Sequence, residues 1–244
     1  MIQIDAADIQ KQLNTFLKSY SNGAGAPLLY DSFVAKTHTL LAGASPYKYP
    51  MDIKIPKPIN ALAQGDFEPA YVIHLEKPLY REAHVVKKDK AGNQIEQTVD
   101  VPIWFNSSSK VIYLRFGYKN GDSRYCSMQC VGDSNVHAFI GGATGQGKSV
   151  ALNNLIFNVA EEYAPWEVQL TMCDAKIVEF KAYAGVTHLP HICSIAACSD
   201  ADYQISILEH LEKEMKMRNT FFGLAGAKKL EEFRANTGLF LPRN

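Results

Sequence analysis

Apolar residues recur at helical spacing near the amino terminus and cluster in short runs farther along the chain. Over residues 8–20 they return every three or four positions, which predicts an amphipathic helix that ends at the glycine-rich run 21–27. The proline-rich stretch 47–69 predicts extended, irregular backbone. Beyond it, short runs of branched and aromatic residues predict β-strands at 71–75, 84–86, 99–105 and 111–116. The first 110 residues are thus predicted to be a helix followed by a β-rich region.

Two turns are predicted between these strands. The lysine-rich segment 87–93 is interpreted as an exposed hairpin tip rather than a phosphate contact. Asn120-Gly121 supplies the two positive φ angles of a type I′ turn, so a strand carrying Cys126 and Cys130 should follow it.

The pattern changes again after residue 135. Residues 136–140 predict a buried strand, 149–163 a helix and 168–173 a second strand. Strand, helix and strand in this order predict a right-handed βαβ crossover in a parallel sheet, the unit of an α/β fold. The rest is predicted to be helical, with a capping box at 199–202, a long helix over 202–222 and a short one over 228–234.

Composition and charge exclude several classes of protein. The chain has 244 residues, 47% of them apolar, with 25 basic and 25 acidic side chains, so it is globular rather than disordered and carries no overall charge that would attract nucleic acid. It shows neither a secretory signal nor an apolar run long enough for a membrane span, and a cytoplasmic location is expected. The five cysteines are accordingly expected as reduced thiols.

One motif carries chemistry. The segment Gly142-Ala143-Thr144-Gly145-Gln146-Gly147-Lys148-Ser149 fits G-x-x-x-x-G-K-[ST], with a predicted strand before it and a predicted helix after it. The glycines let backbone N–H groups turn towards phosphate oxygens, and the helix adds its positive end. Lys148 is expected to reach the β- and γ-phosphates of ATP and to act catalytically, Ser149 to ligate Mg²⁺, and the segment from Gly142 to Val150 to hold the nucleotide.

The wider sequence around this motif resembles the motor domain of FtsK/SpoIIIE-type DNA translocases. The likeness includes residues 137–150, Asp174-Ala175-Lys176 in place of that family's Asp-Pro-Lys, residues 179–183 and His188-Leu189-Pro190, and it extends into the long helix that contains Glu212, Glu214, Met215 and Arg218. It covers residues 111–244, whereas residues 1–110 match no known family. Ala143, Gln146 and Ala175 mark a divergent member.

The resemblance implies a RecA-like P-loop ATPase that assembles as a homo-hexamer and moves double-stranded DNA through its channel, in chromosome segregation or conjugative transfer. Since a modest basic lining repeated around a ring sums to a large potential, a neutral protomer is compatible with DNA binding. A membrane-anchored partner would place such a motor at the inner face of the membrane.

The resemblance also implies a second, acidic strand that orients Mg²⁺ and the attacking water. Asp174 follows an apolar strand, but it aligns better with the family's Asp-Pro-Lys strand, so it is not expected to be that acid. The acidic strand is expected just after residue 244, which suggests an incomplete parallel-sheet core, a truncated chain and little hydrolysis by these residues alone.

Three other functions stay open: the ATPase of a type VII-like protein secretion system, a non-hydrolysing nucleotide-binding scaffold, and a small P-loop kinase. Arg218 and Arg234 are too sparse for the lid of a kinase. A zinc site is suggested by Cys126, Cys130, Cys193 and Cys198 with His188 and His191. The spacings lack the tight C-x2-C pair, so buried thiols are the preferred interpretation.

Overall fold

The structure is a computed structural model, which describes residues 1–21, 47–105, 107, 112–118, 125–131, 137–177, 179–180, 183 and 189–243. The amino-terminal part begins with strand β1 (Ile2–Asp5) and helix α1 (Ala6–Ser21). The predicted amphipathic helix is therefore confirmed, and its apolar side chains Leu13 and Phe16 are buried.

A three-stranded sheet lies beside this helix. Its order is β1-β3-β2, where β2 is Met51–Pro56 and β3 is Pro69–Leu75; β3 runs parallel to β1 and antiparallel to β2. Ile73 pairs with Ile4 on one side and with Ile53 on the other, which places isoleucines next to each other across the sheet.

The prediction of irregular backbone over 47–69 is wrong, because the stretch contains β2 and the short helix α2 (Ile59–Ala63). The prolines lie where a missing N–H does no harm. Pro56 is the last residue of β2, Pro58 is the N-cap of α2, and Pro69 is the first residue of β3.

Two antiparallel hairpins follow. Strands β4 (Tyr80–Lys88) and β5 (Gln94–Pro102) pair along their full length, and the predicted tip is confirmed. At this tip the Asp89 carboxylate accepts the N–H groups of Ala91 and Asn93, both at 2.8 Å. Strands β6 (Ile112–Tyr118) and β7 (Tyr125–Val131) form the second hairpin, which confirms the strand that carries Cys126 and Cys130, whereas the Asn-Gly turn lies outside the described residues.

The α/β part contains helix α3 (Lys148–Glu162) and the parallel strands β8 (Leu170–Cys173) and β9 (Ile192–Ala196). The helix and β8 confirm two of the three elements predicted for the βαβ unit. The buried strand predicted at 136–140 is wrong for residues 137–140, which form no strand and leave Phe139 95% exposed. No strand in the described part of the chain pairs with them, and an extended segment needs such a neighbour to satisfy its backbone groups.

The carboxyl-terminal part is helical from residue 201, as predicted, but strand β9 lies in the stretch after residue 173 where only helices were predicted. Helix α4 spans Ala201–Leu224 and helix α5 spans Leu230–Thr237. The predicted cap lies one residue early: the N-cap of α4 is Asp200, whose carboxylate accepts the N–H of Asp202 at 2.9 Å. None of the helices within the described ranges combines the length and the apolar character that a bilayer crossing needs.

One hydrophobic core joins the amino-terminal region to the α/β part of the chain. Leu13 of α1, Ile53 of β2 and Ile73 of β3 belong to the same buried cluster as Phe157 of α3 and Met172 of β8. A second cluster packs α2 against α4 and α5 around Phe221 and Phe233. The helix that follows the phosphate loop is therefore packed directly on the amino-terminal region.

Candidate nucleotide site

The glycine-rich loop has the backbone form that its sequence predicts. Gly145 and Gly147 have φ angles of 82° and 80°, in the left-handed region that glycine adopts without strain. The N–H of Gln146 donates to the carbonyl of Ala143 at 3.2 Å and closes the turn. Gly147 is the N-cap of α3, and within the described part of the chain no side chain caps this helix start. Its first N–H groups are thus available to an anion.

The residues predicted to hold the nucleotide lie on one continuous segment with access to solvent. Lys148 opens α3 and is exposed, Val150 is 54% exposed, and Ser149 between them is half-buried. Gly142, Ala143, Thr144, Gly145, Gln146 and Gly147 are exposed as well. A phosphate chain could therefore approach the loop from solvent.

A second segment reaches this loop from the end of β8. The hydroxyl of Ser149 donates a short hydrogen bond to Oε1 of Glu179, and both residues are half-buried. These two residues are 30 positions apart in the sequence. The structure thereby places a carboxylate next to the hydroxyl that was predicted to ligate Mg²⁺.

Asp174 shapes the segment that carries Glu179. Its buried carboxylate accepts backbone N–H groups from Lys176 at 3.0 Å, Glu179 at 2.8 Å and Phe180 at 3.2 Å. A carboxylate so engaged fixes the path of its own loop. That Asp174 is not the hydrolytic acid stays a prediction.

A second link joins the same two segments. The amide of Asn153, one turn into α3, donates to the carbonyl of Ser149 at 2.9 Å, and the buried Tyr183 hydroxyl donates to the amide oxygen of Asn153. Glu179, Asn153 and Tyr183 were given no role from the sequence. A Ser after the motif lysine needs an acceptor for its proton, but nothing in the spacing identifies which carboxylate provides it.

The residues of the zinc hypothesis make other contacts where the structure describes them, but the preferred interpretation as buried thiols is wrong for Cys193, which is exposed, and for Cys198, which is half-buried. The Cys193 thiol donates to the carbonyl of Leu170 at 3.3 Å, and Nε2 of His191 donates to the carbonyl of Tyr163 at 2.7 Å. Across the described ranges, no three His, Cys, Asp or Glu side chains gather as a ligand set. His188 and the side chains of Cys126 and Cys130 lie outside the described part.

Comparison with known proteins gives a family match and several relatives. The sequence model of the FtsK/SpoIIIE family matches residues 97–239. The DNA translocase FtsK of Oceanobacillus iheyensis is 28% identical over 214 residues, which is 82% of this chain and 25% of that protein. The DNA translocase FtsK of Bacillus cereus is 35% identical and the DNA translocase SpoIIIE of Bacillus subtilis 33% identical, each over 99 residues, 40% of this chain and 12% of the relative.

The chain thus spans about a quarter or less of the length of these curated relatives. No solved structure matches it. The family match includes the phosphate loop, Glu179 and both carboxyl-terminal helices, and it covers more than half of the chain. The chain therefore belongs to the FtsK/SpoIIIE family.

Proposed function

We propose that this chain is the ATP-binding portion of an ATP-driven double-stranded DNA translocase. The observation that carries the proposal is the loop of two left-handed glycines that opens a 15-residue helix whose start no described side chain caps. Backbone N–H groups in this arrangement form a concave site for phosphate oxygens, strengthened by the positive end of the helix. Membership of the FtsK/SpoIIIE family supports ATP as the nucleotide and DNA as the cargo.

The loop 142–147 and the first two residues of α3 have separate roles in this proposal. The backbone of Gly142 to Gly147 cradles the phosphates, with Thr144 and Gln146 shaping the loop. Lys148 extends its ammonium group from the first position of α3 to the β- and γ-phosphates.

The residues present also fit Mg²⁺. The hydroxyl of Ser149 is a hard oxygen donor of the kind this ion prefers, and the neighbouring carboxylate of Glu179 accepts its proton. When bound, Mg²⁺ would neutralise charge on the β- and γ-phosphates. The protein's own contribution is to orient the Ser149 hydroxyl and to hold the phosphates with the backbone of the loop.

For the wider molecule we propose a homo-hexameric ring and a RecA-like core in residues 111–244, on which the helix and the β-rich region of residues 1–110 pack. The ring would form the DNA channel at the cytoplasmic side of the membrane, with membrane anchorage through partners. The DNA translocases named among the relatives support the cargo.

Nucleotide binding tests this function. The affinity of the chain for a fluorescent ATP analogue is measured with Mg²⁺, for the wild type and for Lys148→Ala. Since a hydrogen bond to a charged group contributes about 1.5–3 kcal/mol, Lys148→Ala is expected to weaken binding about tenfold or more. The control Lys213→Ala removes an exposed lysine of α4 and should leave the affinity unchanged. Equal binding by wild type and Lys148→Ala would contradict the proposal.

A second measurement addresses the cargo and the chemistry. Duplex DNA binding is followed by fluorescence anisotropy at two salt concentrations, because contacts with phosphates weaken as salt rises. Binding that requires ATP and is lost in Lys148→Ala supports a translocase, whereas no duplex affinity contradicts it. That ATP turnover by this chain alone is slow stays a prediction from the sequence.

A further inference from the structure

Glu179 contacts the one side-chain oxygen of the phosphate loop that is expected to face a metal ion. Its Oε1 accepts the proton of the Ser149 hydroxyl, although the two residues lie 30 positions apart. Glu179 lies in the loop after β8 and is half-buried. The contact is therefore a feature of the tertiary fold.

The direction of this hydrogen bond has a chemical consequence. A serine hydroxyl has one proton to donate and two lone pairs to offer. When the proton is directed to Glu179, the lone pairs point elsewhere, and a metal ion binds through a lone pair. An acceptor that carries negative charge also makes the serine oxygen a better donor to the metal.

We propose that Glu179 is the positioning residue for Mg²⁺ at this site: it holds the Ser149 proton and so aims the serine oxygen at the ion. The inference rests on the proposed function, because it assigns a role at the same nucleotide site. It assigns a function to the loop after β8, which lies outside the phosphate-loop motif.

The surrounding contacts support this role by holding Glu179 in place. The N–H of Glu179 itself donates to Asp174, at 2.8 Å, so the residue is fixed at its backbone. Four residues farther along, the Tyr183 hydroxyl donates to Asn153, and Asn153 donates in turn to the carbonyl of Ser149 at 2.9 Å. The loop is thus attached to the start of α3 by two separate links. A rigid second layer of this kind is what keeps a metal ligand in one orientation.

The effect of Mg²⁺ on nucleotide affinity tests the inference. Affinity for the fluorescent ATP analogue is measured at increasing Mg²⁺ and again in EDTA, for the wild type, Glu179→Gln, Ser149→Ala and the double variant. Glu179→Gln is expected to raise the Mg²⁺ concentration needed for half-maximal enhancement by about 10- to 100-fold. Its affinity in EDTA should stay at the wild-type value, because Glu179 acts through the metal. The double variant should lose no more than Ser149→Ala alone.

The controls separate this role from a structural one. Glu209→Gln removes an exposed carboxylate from α4 and should leave both affinities unchanged. Thermal melting followed by circular dichroism reports whether each variant is folded. If Glu179→Gln melts at a lower temperature than the wild type, Glu179→Asp replaces it, because it keeps the charge and shortens the side chain. Glu179→Asp should show the same loss of Mg²⁺ response, with wild-type affinity in EDTA.

Two outcomes overturn the inference. An unchanged Mg²⁺ response in the folded Glu179 variant, or losses that add to those of Ser149→Ala, would show that Glu179 only anchors its loop. Nucleotide binding by the wild type in the same experiment keeps the proposed function intact in either case. A wild type that binds no nucleotide overturns the proposed function and this inference with it.

Discussion

The two ends of helix α3 are built in opposite ways. At its start, residues 142–148 are exposed and no described side chain caps the first turn. At its end, every residue from 155 to 162 is buried. Each end of a helix leaves backbone groups without an intrahelical partner, N–H groups at the start and carbonyl groups at the finish. The two ends of α3 differ in where those groups find partners.

The carbonyl end finds its partners inside the protein. The backbone N–H of Trp104 donates to the carbonyl of Glu161 at 2.7 Å, its indole N–H donates to that of Ala160 at 3.3 Å, and His191 donates to that of Tyr163 at 2.7 Å. Trp104 adopts a φ angle of 59°, unusual for a residue with a side chain, and it is 2% exposed.

At the start of the helix, no side chain of the described residues caps the N–H groups. From this difference we propose that the amino-terminal region holds the end of helix α3 in place, so that its start can bind phosphate without a rearrangement of the fold. Predictions that perturb each end separately test this division.

The largest effect is expected from the ion pair at the buried end. Arg81 of β4 contacts Glu161, and the two side chains are 5% and 2% exposed. Arg81→Met removes this cation from beside the buried carboxylate of Glu161, so we expect the free energy of unfolding to fall by about 3–5 kcal/mol. Chemical denaturation measures it. If the end of α3 supplies stability and its start supplies binding, the folded Arg81→Met protein should bind nucleotide with the affinity of the wild type.

Matched variants complete this test. Lys216→Met breaks the exposed pair of Lys216 with Glu212 and is expected to leave the free energy of unfolding almost unchanged. Arg81→Met combined with Glu161→Leu replaces the whole pair by apolar groups and should recover most of the stability. A small effect of Arg81→Met alone would contradict the view that this end anchors the helix.

A somewhat smaller effect is expected from protonation at the same end. Burial lowers the pKa of His191 from 6.5 to about 4, against the opposing effect of its hydrogen bond to the Tyr163 carbonyl. The folded protein then binds fewer protons than the unfolded chain, so this contribution to stability is lost as the pH falls from about 6.5 towards 4. By pH 4 the loss amounts to on the order of 3 kcal/mol.

The measurement is the free energy of unfolding against pH, compared between the wild type and His191→Gln. An amide can still donate to the Tyr163 carbonyl but does not titrate, so the difference between the two curves isolates the histidine. His210→Gln, at an exposed position of α4, serves as the control and should follow the wild type. Parallel curves for wild type and His191→Gln would contradict the prediction.

The sequence predicts the exposed end of α3 better than its surroundings. Gly145, Gly147, Lys148 and Ser149 could be identified from spacing alone, because adjacent residues form the loop and its geometry follows from glycine's backbone freedom. The contact between Ser149 and Glu179 could not, since it depends on how Asp174 folds the loop after β8. Long-range contacts of this kind leave no periodic pattern.

The ion pair between Arg81 and Glu161 could not be predicted from the sequence for the same reason. Nothing in the pattern of β4 indicates that Arg81 meets Glu161, 80 residues away. A lone arginine in a strand is usually interpreted as a solvated residue. Only the packing of the hairpin on the end of α3 gives it a buried partner.

The smallest effect on stability is expected from a substitution just before the phosphate loop. It distinguishes the buried strand that the sequence pattern predicts from the exposed segment in the structure. The pattern of residues 136–140 predicts a buried strand, whereas Phe139 is 95% exposed. Phe139→Ala should then change the free energy of unfolding by less than about 0.5 kcal/mol. The matched variant Phe157→Ala, which removes a ring 7% exposed in the core side of α3, should cost about 3–5 kcal/mol. If denaturation gives both variants a loss of that size, Phe139 is packed in a sheet and the start of α3 is anchored as firmly as its finish. An exposed ring contributes no buried apolar area to stability. A near-zero change in the free energy of unfolding for Phe139→Ala, beside a large loss for Phe157→Ala, would therefore agree with a helix that is anchored at its end and exposed at its start.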